Sequence, residues 1–164
     1  MGLRTSIRFG LDSVLSINAE NGDYEGQLRA KFPELDLLWA SGTGASEADR
    51  LITDYGATLT TGSTRSLDLR SIANALGGTT TFVEVRAIGF RLRDQPLTIG
   101  KGASNGWTGL GASWTLTPPI GTWFFLVNSE DGRLPTGASD KVIDIANASG
   151  STATYDLVIL GTSA

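Results

Sequence analysis

The sequence predicts an all-β protein, an antiparallel β-sandwich of the jelly-roll type with about eight to ten strands. Three observations indicate this. β-Branched and aromatic residues recur in short runs that alternate with polar residues, as in half-buried strands. Glycine, with 21 residues, is about twice as frequent as usual and clusters with Ser, Thr and Asn between the runs. These turn signals recur at roughly even spacing, which favours a sandwich over alternating β and α units.

The longest alternating stretch, residues 79–93, is the centre of this prediction. Val83, Val85 and Ala87 share one face, opposite Phe82, Glu84 and Arg86. From Ile88 onward the apolar residues have the other parity: Ile88, Phe90 and Leu92. A strand with a period of two residues changes parity only where an extra residue is inserted. We therefore expect a β-bulge or tight bend at Ile88-Gly89, because glycine tolerates the distortion. Such a strand bends from one core face onto another, as at the corners of sandwiches.

The same patterns predict the elements on the amino-terminal side of this stretch. Strands are expected over 5–17 (broken near Gly10), 27–32, 35–40, 49–59 and 65–70. Asn21-Gly22 is a strong hairpin signal between the first two of them. Residues 47–50 are compatible with a short helical turn, but the alternation that follows favours a strand. Residues 72–78 are expected to make one helical turn that stops at Gly77-Gly78.

On the carboxyl-terminal side, five more strands are predicted. They are expected over 96–100, 114–117, 122–128, 141–146 and 154–160. The last two flank a turn at 148–151 and are expected to form a C-terminal hairpin. The segment TWFFLVN at 122–128 is apolar on both faces, so it is either fully buried or a contact between subunits. Residues 129–139 are expected to be a long polar loop.

The composition excludes several classes of chemistry. The chain of 164 residues has neither cysteine nor histidine, which removes disulfides, thiol nucleophiles, His-dependent triads and His/Cys metal sites. A net charge of −4 argues against a nucleic-acid partner. No apolar segment has the length of a membrane span, and the start lacks a signal-peptide core. We expect one domain, with residues 1–40 as an amino-terminal arm or edge hairpin, and no cofactor or membrane contact.

Carboxylates are the remaining candidates for acid–base catalysis, and glycoside hydrolysis requires two of them across a cleft. The candidate pairs fall on faces expected to be solvated: Glu84 with Asp94, and Asp140 with Asp144. The oxygen-rich stretches 21–23 and 129–132 lack the full ligand set of a calcium loop, so they are interpreted as turns. We therefore expect no catalytic residue, no metal ligand and no enzymatic activity.

Four tryptophans are notable on a chain with only 8% aromatic residues. Core packing accounts for Trp39 and Trp123, whereas Trp107 lies within a Gly/Ser/Asn loop and is the one expected to serve a partner. Sugar-binding sandwiches use exposed aromatic platforms, so a carbohydrate-binding module or a glycosidase is the competing class. Four arginines are compatible with a basic strip, but as strand-edge charges they are interpreted as protection against aggregation: Arg4, Arg8, Arg91 and Arg93.

Three stretches resemble a group of small structural proteins of tailed bacteriophages. They are SGTGASEADRLITDYGATLTTGSTRSLDL, GASNGWTGL and ASDKVIDIANASGSTATYDLVILG, in matching order within residues 41–161. The resemblance implies a capsid cement (decoration) protein, made in the host cytoplasm and located on the capsid surface of the virion. A tail or fibre module that binds host carbohydrate is the alternative. The resemblance carries over no functional residue.

The expected partners are the major capsid protein and further copies of the chain. A closed homotrimer is expected, because TWFFLVN offers more apolar surface than one sheet face hides. The number three comes from the resemblance, since cement proteins commonly sit on capsid three-fold positions. The capsid contact is expected at Arg4, Arg8 and Phe9, because an acidic body needs another surface to meet its partner. The loop around Trp107 is the second candidate contact.

Overall fold

The computed structural model describes residues 5–9, 12–18, 25–31, 35–39, 43–44, 47–73, 78–127 and 134–164, with the backbone alone over the first four ranges and at Pro135. Within these ranges the chain forms β-strands and no helix. The strands are β1 (Thr5–Phe9), β2 (Asp12–Asn18), β3 (Glu25–Lys31), β4 (Leu35–Trp39), β5 (Arg50–Leu59), β6 (Thr64–Asp68), β7 (Ile72–Ala73), β8 (Thr79–Thr80), β9 (Glu84–Leu92), β10 (Thr98–Lys101), β11 (Thr115–Leu116), β12 (Trp123–Val127), β13 (Leu134–Pro135), β14 (Val142–Ala146) and β15 (Ala153–Thr162).

The four amino-terminal strands form a ribbon, and among the described strands they pair only with each other. β1 pairs with β4 and β2 pairs with β3, both antiparallel. Phe9 faces Leu35 while Asp12 faces Lys31, so the register shifts by one residue between the two pairs. Along the chain, the β2-β3 pair lies within the segment that the β1-β4 pair encloses. The predicted turn at Asn21-Gly22 lies outside the described residues.

Two antiparallel sheets form a sandwich. One has the order β12-β9-β15-β5, with the short β13 paired to β9 as its fifth strand, and the other has the order β11-β10-β14-β6. The eight strands in these two orders, without β13, can be numbered one to eight along the chain from β5 to β15. The two orders are then 6-3-8-1 and 5-4-7-2. That is the jelly-roll arrangement, so the predicted all-β antiparallel sandwich is confirmed.

The predicted C-terminal hairpin is wrong. β14 lies between β10 and β6, whereas β15 lies between β9 and β5 in the other sheet. The connection at 147–152 therefore crosses between the sheets, and the Asn147 side-chain amide anchors it by donating to the Leu59 carbonyl at 2.7 Å and the Ser151 carbonyl at 2.9 Å. Alternation reports only that each strand buries one face, and it does not identify the strand that pairs with it.

The core lies between the two sheets and is built from alternate strand residues. On β14, Ile143 and Ile145 are fully buried, as the alternation predicted. On β15, Tyr155, Leu157 and Ile159 belong to the same apolar cluster and are also fully buried. Burying such side chains removes apolar surface from water, which stabilises the fold by about 1.5 to 3 kcal/mol for each large side chain.

The parity change on the central strand exists, but it lies earlier than predicted. Two consecutive residues of β15, Leu160 and Gly161, lie opposite Ala87 and Val85 of β9. Arg86, between these two, is therefore the extra residue of a β-bulge. From Ile88 onward the strand is regular. The bulge places Val85 and Ile88 on the core side and Ala87 on the opposite side. The predicted site at Ile88-Gly89 is wrong, because the pairing with β15 is regular there. Gly89 has a different role, which is described below.

Residues 72–78 do not begin as the predicted helical turn. Ile72 and Ala73 form β7 and pair with Thr80 and Thr79 of β8, and Ile72 is buried in the core. The apolar contact of Ile72 holds the backbone extended, which local propensity did not indicate. Within the predicted loop at 129–139, the described part contains the short strand β13, which pairs with β9.

Candidate functional site

The outer face of the five-stranded sheet, which points away from the core, carries three aromatic side chains that we call the aromatic strip: Tyr55, Trp123 and Phe125. The Trp123 and Phe125 rings are stacked, with centroids 5.1 Å apart and an interplanar angle of 19°. Tyr55 meets Trp123 edge to face, with 6.5 Å between ring centroids. Because Tyr55 belongs to β5 and the other two to β12, the strip extends between the two edge strands of the sheet.

The alternation along β12 explains why TWFFLVN is apolar on both faces. Phe124 and Leu126 pack against the core cluster, so Trp123, Phe125 and Val127 point to the outer face. Every residue of β12 is half-buried. The first alternative, a fully buried strand, is therefore wrong, and the second alternative, a contact between subunits, stays a prediction. Trp123, which was assigned to the core, lies instead on the outer face.

Gly89 provides the space in which Phe125 lies on the sheet. The two residues are directly opposite each other on β9 and β12. A Cβ atom at Gly89 would be 2.3 Å from Cε1 of the Phe125 ring, much closer than two carbon atoms can approach. The absence of a side chain on the central strand thus determines where the aromatic strip lies. This is the close-approach use of a strand glycine.

Charged groups lie on the same outer face, next to the strip. The Asp156 carboxylate is 2% exposed and accepts hydrogen bonds from Nε of Arg93 at 2.9 and 3.0 Å and from the Gly56 amide at 2.8 Å. Burial alone raises the pKa of Asp156, but these hydrogen bonds and the charges of Arg93 and Arg91 outweigh burial and hold the pKa below its ordinary value. Asp156 is therefore ionised at neutral pH and fixes the backbone beside Tyr55.

The three rings of the aromatic strip differ in how much of each side chain is exposed. Tyr55 is 62% exposed, whereas Trp123 and Phe125 are half-buried and direct ring faces toward each other. Large aromatic side chains held in place by their neighbours lose little conformational entropy on binding, which makes them good anchors for a macromolecular partner. The arrangement presents apolar surface and contributes no nucleophile or acid–base pair.

Tyr55 is the site residue that sequence reasoning missed. The alternation groups Leu51, Tyr55 and Leu59 on one face of β5, yet Ile52 and Leu59 are the ones that enter the core. Tyr155 of β15 lies opposite Ala57, and Leu157 lies opposite Asp54. Two residues of β5, Tyr55 and Gly56, therefore lie opposite one residue of β15, and this bulge reverses which residues of β5 face the core. The available signal in the sequence was Gly56, because a glycine within a strand pattern indicates a bulge. In the structure its φ is +69°, which favours glycine.

The predicted partner residue Trp107 is not on the surface. Its indole is fully buried and meets Trp114 edge to face at 6.2 Å between centroids. The loop lies directly over the indole, since a Cβ atom on Gly109 would be 2.1 Å from the ring. The expectation that the Trp107 side chain contacts a partner is therefore wrong. The absence of a side chain at Gly109 is what allows the loop to cover the ring.

Two of the other three predicted contact residues lie in the ribbon. Arg4 is outside the described residues, whereas Arg8 and Phe9 belong to β1, where the backbone alone is described. Nothing in the described structure brings them to the aromatic strip, and their proposed role stays a prediction.

The four candidate carboxylates have structural partners. Glu84, expected on a solvated face, is buried and pairs with Arg86 at 2.9 Å; that expectation is wrong. The other three bind backbone amides, with Asp94 accepting from Thr154 at 2.8 Å, Asp140 from Thr108 at 2.5 Å and Asp144 from Ala103 at 3.0 Å. Each of these bonds connects segments that are distant in the sequence.

The described part of the chain contains no group of three or more acidic residues placed to hold a metal ion. Within the same residues, no helix has the length and apolar character that crossing a membrane requires. The stretches 21–23 and 129–132, interpreted as turns rather than calcium loops, lie outside the described residues.

Comparison with known proteins gives little. No family model matches the chain, and no curated protein matches it. Among solved structures, the chain is similar to one from Bacillus endospore appendages, which form a novel family of disulfide-linked pili. The identity is 14%, the TM-score is 0.36, and the match covers 70% of this chain and 89% of that chain. A likeness at this TM-score carries no argument about the function of this protein.

Proposed function

We propose that this protein is a non-enzymatic virion structural protein: a cement protein that binds the outer surface of an assembled bacteriophage capsid and stabilises the shell. The observation that carries the proposal is the aromatic strip, an apolar surface on a rigid sheet with 62% of Tyr55 exposed. The resemblance of residues 41–161 to structural proteins of tailed phages supplies the identity of the partner. The fold alone does not, since jelly rolls serve many functions.

A cement protein needs interface and rigidity. Gly89 and Phe125 fix the position of the strip from below, and Asp156 fixes the backbone beside it. A surface that is already in its bound shape loses little entropy on binding, so more of the contact energy appears as affinity. These features suit a protein that bridges neighbouring capsid subunits.

Self-association strengthens such attachment. We propose three copies, with β12 as the contact between them, because all five residues of that edge strand are apolar and half-buried. Three linked contacts bind the shell far more tightly than one, since the second and third are formed at high effective concentration. Light scattering at micromolar concentration tests this part, and a monomer would contradict it.

The main experiment adds purified protein to capsids that lack it. Occupancy is measured by quantitative gel densitometry, and shell stability by the temperature at which the particles release DNA. We expect saturable binding and a higher release temperature. Finding the protein only at the tail, or no binding to the capsid lattice, would reject the cement function.

Two variants show whether the aromatic strip makes the contact. Tyr55→Ala removes the most exposed ring of the strip, and we expect a loss of capsid affinity of about tenfold or more, as for an interface anchor. Thr98→Ala, on an exposed position of the other sheet, is the matched control and should bind like the original chain. Equal binding by both variants would exclude the strip and leave the ribbon, with Arg8 and Phe9, as the contact.

The second candidate is a tail or fibre module that binds host carbohydrate. Its support is again the exposed Tyr55, because aromatic rings on sandwich faces stack against sugars. The stacking of Trp123 on Phe125 counts against it, since each of these rings already uses one face. A glycan array decides: specific binding that Tyr55→Ala abolishes would favour this function, and hydrolysis of any bound glycan would contradict the absence of enzymatic activity.

A further inference from the structure

β5 is the last strand at one edge of the five-stranded sheet. Among the described strands β5 pairs only with β15, so one side of its backbone has no strand beside it. Two of the three exposed large apolar side chains among the described residues lie on this strand, Leu51 at 42% and Tyr55 at 62%. An edge strand with exposed apolar residues is a template for pairing with another strand.

We propose that β5 pairs antiparallel with β5 of a second copy of this chain, about a two-fold axis that passes through Ile52. The five-stranded sheets of the two copies then form one continuous sheet. This inference goes beyond the proposed function and requires no capsid. Two independent observations place the axis at Ile52.

The first observation is the length of regular strand. Residues from Arg50 to Asp54 pair with β15 without interruption, and the bulge at Tyr55 and Gly56 then ends the regular segment. When a segment pairs antiparallel with its own copy, its middle residue lies on the symmetry axis. The middle residue of this segment is Ile52.

The second observation is charge. Arg50, Ile52 and Asp54 point to the same side of the strand. With Ile52 on the axis, Arg50 of each copy lies opposite Asp54 of the other, which gives two pairs of opposite charge. Both side chains stay partly accessible although each has an opposite charge nearby in its own chain: Arg50 is 45% exposed with Asp49 at 3.3 Å, and Asp54 is 35% exposed with Arg65 at 2.7 Å. An axis at either neighbouring residue removes both direct pairs.

A groove lies beside this segment in the part of the chain that the structure describes. It has a volume of about 620 Å³ and is lined by residues 49–54 and by Arg65, Ile72, Ala73 and Thr80. One wall is rigid, because Arg65 donates to Asp54 at 2.7 Å and to the Tyr155 hydroxyl at 2.6 Å. On the outer face, Leu51 of one copy lies diagonal to Tyr55 of the other, within reach of a long aromatic side chain.

Cysteine cross-linking tests the register, because the chain has no cysteine of its own. The proposed axis places Leu51 of one copy directly opposite Thr53 of the other. An equimolar mixture of Leu51→Cys and Thr53→Cys chains should therefore form disulfide-linked pairs under mild oxidation. Either variant alone should not, because two identical residues are then about 8 Å apart, beyond the reach of a disulfide.

Thr58→Cys is the matched control, since Thr58 is an exposed residue of the same strand beyond the bulge. We expect at least about tenfold more cross-linking in the mixture than in the control or in either single variant. Efficient cross-linking of Leu51→Cys or Thr53→Cys alone would place the axis elsewhere and overturn the proposal. Equal cross-linking of the mixture, the single variants and the control would show that the cross-links arise from random collisions, and this result would also overturn the proposal.

Charge reversal gives a second test that requires no oxidation. Arg50→Asp alone and Asp54→Arg alone each replace two attractive pairs across β5 by two repulsive ones, so each should weaken association through β5 by about tenfold, as measured by sedimentation velocity. Mixing the two variants restores attraction at both pairs, so the mixture should associate more strongly than either variant alone. Because Asp54→Arg also removes the bond from Arg65, circular dichroism verifies that each variant is folded. Folded variants that associate like the original chain, or a mixture that associates no more strongly than either variant alone, would overturn the proposal.

Discussion

The inner and outer faces of the five-stranded sheet are buried by different means. On the inner face, residues such as Phe90, Leu157 and Ile159 are at most 2% exposed and are covered by the second sheet. On the outer face, Gly89 and Asp156 lie on the two central strands, and Leu160 forms a small apolar cluster with Ala48, Ala87 and Val127. The aromatic strip, which comes from the two edge strands, covers part of this face.

This difference shows that an outer sheet face need not be a solvated polar surface. The inner face stabilises the fold by burying apolar side chains, so removing volume from one of these side chains destabilises the protein. The outer face combines a ring placed over a glycine with a carboxylate bonded to an arginine and a backbone amide. We therefore expect substitutions on the two faces to differ in size and in their dependence on pH.

The largest effect is expected inside. Phe90→Ala should lower the free energy of unfolding by about 3 to 5 kcal/mol, because it leaves a cavity among residues that cannot relax to fill it. Urea unfolding monitored by tryptophan fluorescence measures this. Thr98→Ala, an exposed position of the other sheet, is the control and should stay within about 0.5 kcal/mol of the original chain.

A smaller effect is expected where the strip meets the sheet. Gly89→Ala should cost about 1 to 3 kcal/mol, because the new methyl group collides with the Phe125 ring. The double variant Gly89→Ala/Phe125→Ala tests the cause: with the ring removed, the added methyl group should cost much less. Additive costs in this double-mutant cycle would show that the glycine serves another purpose.

The carboxylate is expected to give the third largest effect and the clearest dependence on pH. Asp156→Asn should cost about 1 to 2 kcal/mol at pH 7, because the buried group loses its charged hydrogen bonds. The folded pKa of Asp156 lies below that of the unfolded chain, so its contribution is complete above about pH 4 and is lost as the pH falls through the folded pKa. Urea unfolding between pH 2 and 7 should show a weaker pH dependence in the variant. An unchanged dependence would contradict this assignment.

The smallest effect on stability is expected at Tyr55. Because its side chain is 62% exposed, Tyr55→Ala should change the free energy of unfolding by about 0.5 kcal/mol or less. The same substitution should still weaken capsid binding, so stability and binding separate at this residue. A loss of 2 kcal/mol or more in urea unfolding would instead make Tyr55 a structural part of the strip.

Much of the candidate site could not be predicted from the sequence. Trp107 and Trp123 were assigned to surface and core respectively, and the structure has them the other way round. A glycine-rich loop and an apolar strand favour those assignments locally. The outcome depended on contacts with residues far away in the chain: the Trp107 amide donates to the Val142 carbonyl at 2.8 Å, and the Trp123 ring meets Tyr55 of β5 edge to face.

The sequence by itself determined the class of fold and the position of most strands, because the alternation of apolar residues and the glycine-rich turns act over a few residues. It also determined the absence of thiol and imidazole chemistry. Only the tertiary structure decided that β14 and β15 belong to different sheets, and that bulges at Arg86 and at Tyr55-Gly56 reverse the faces of β9 and β5. The physical reason is that a strand's alternation is the same whichever strand lies beside it, whereas pairing and bulges are selected by the packing of the whole sandwich.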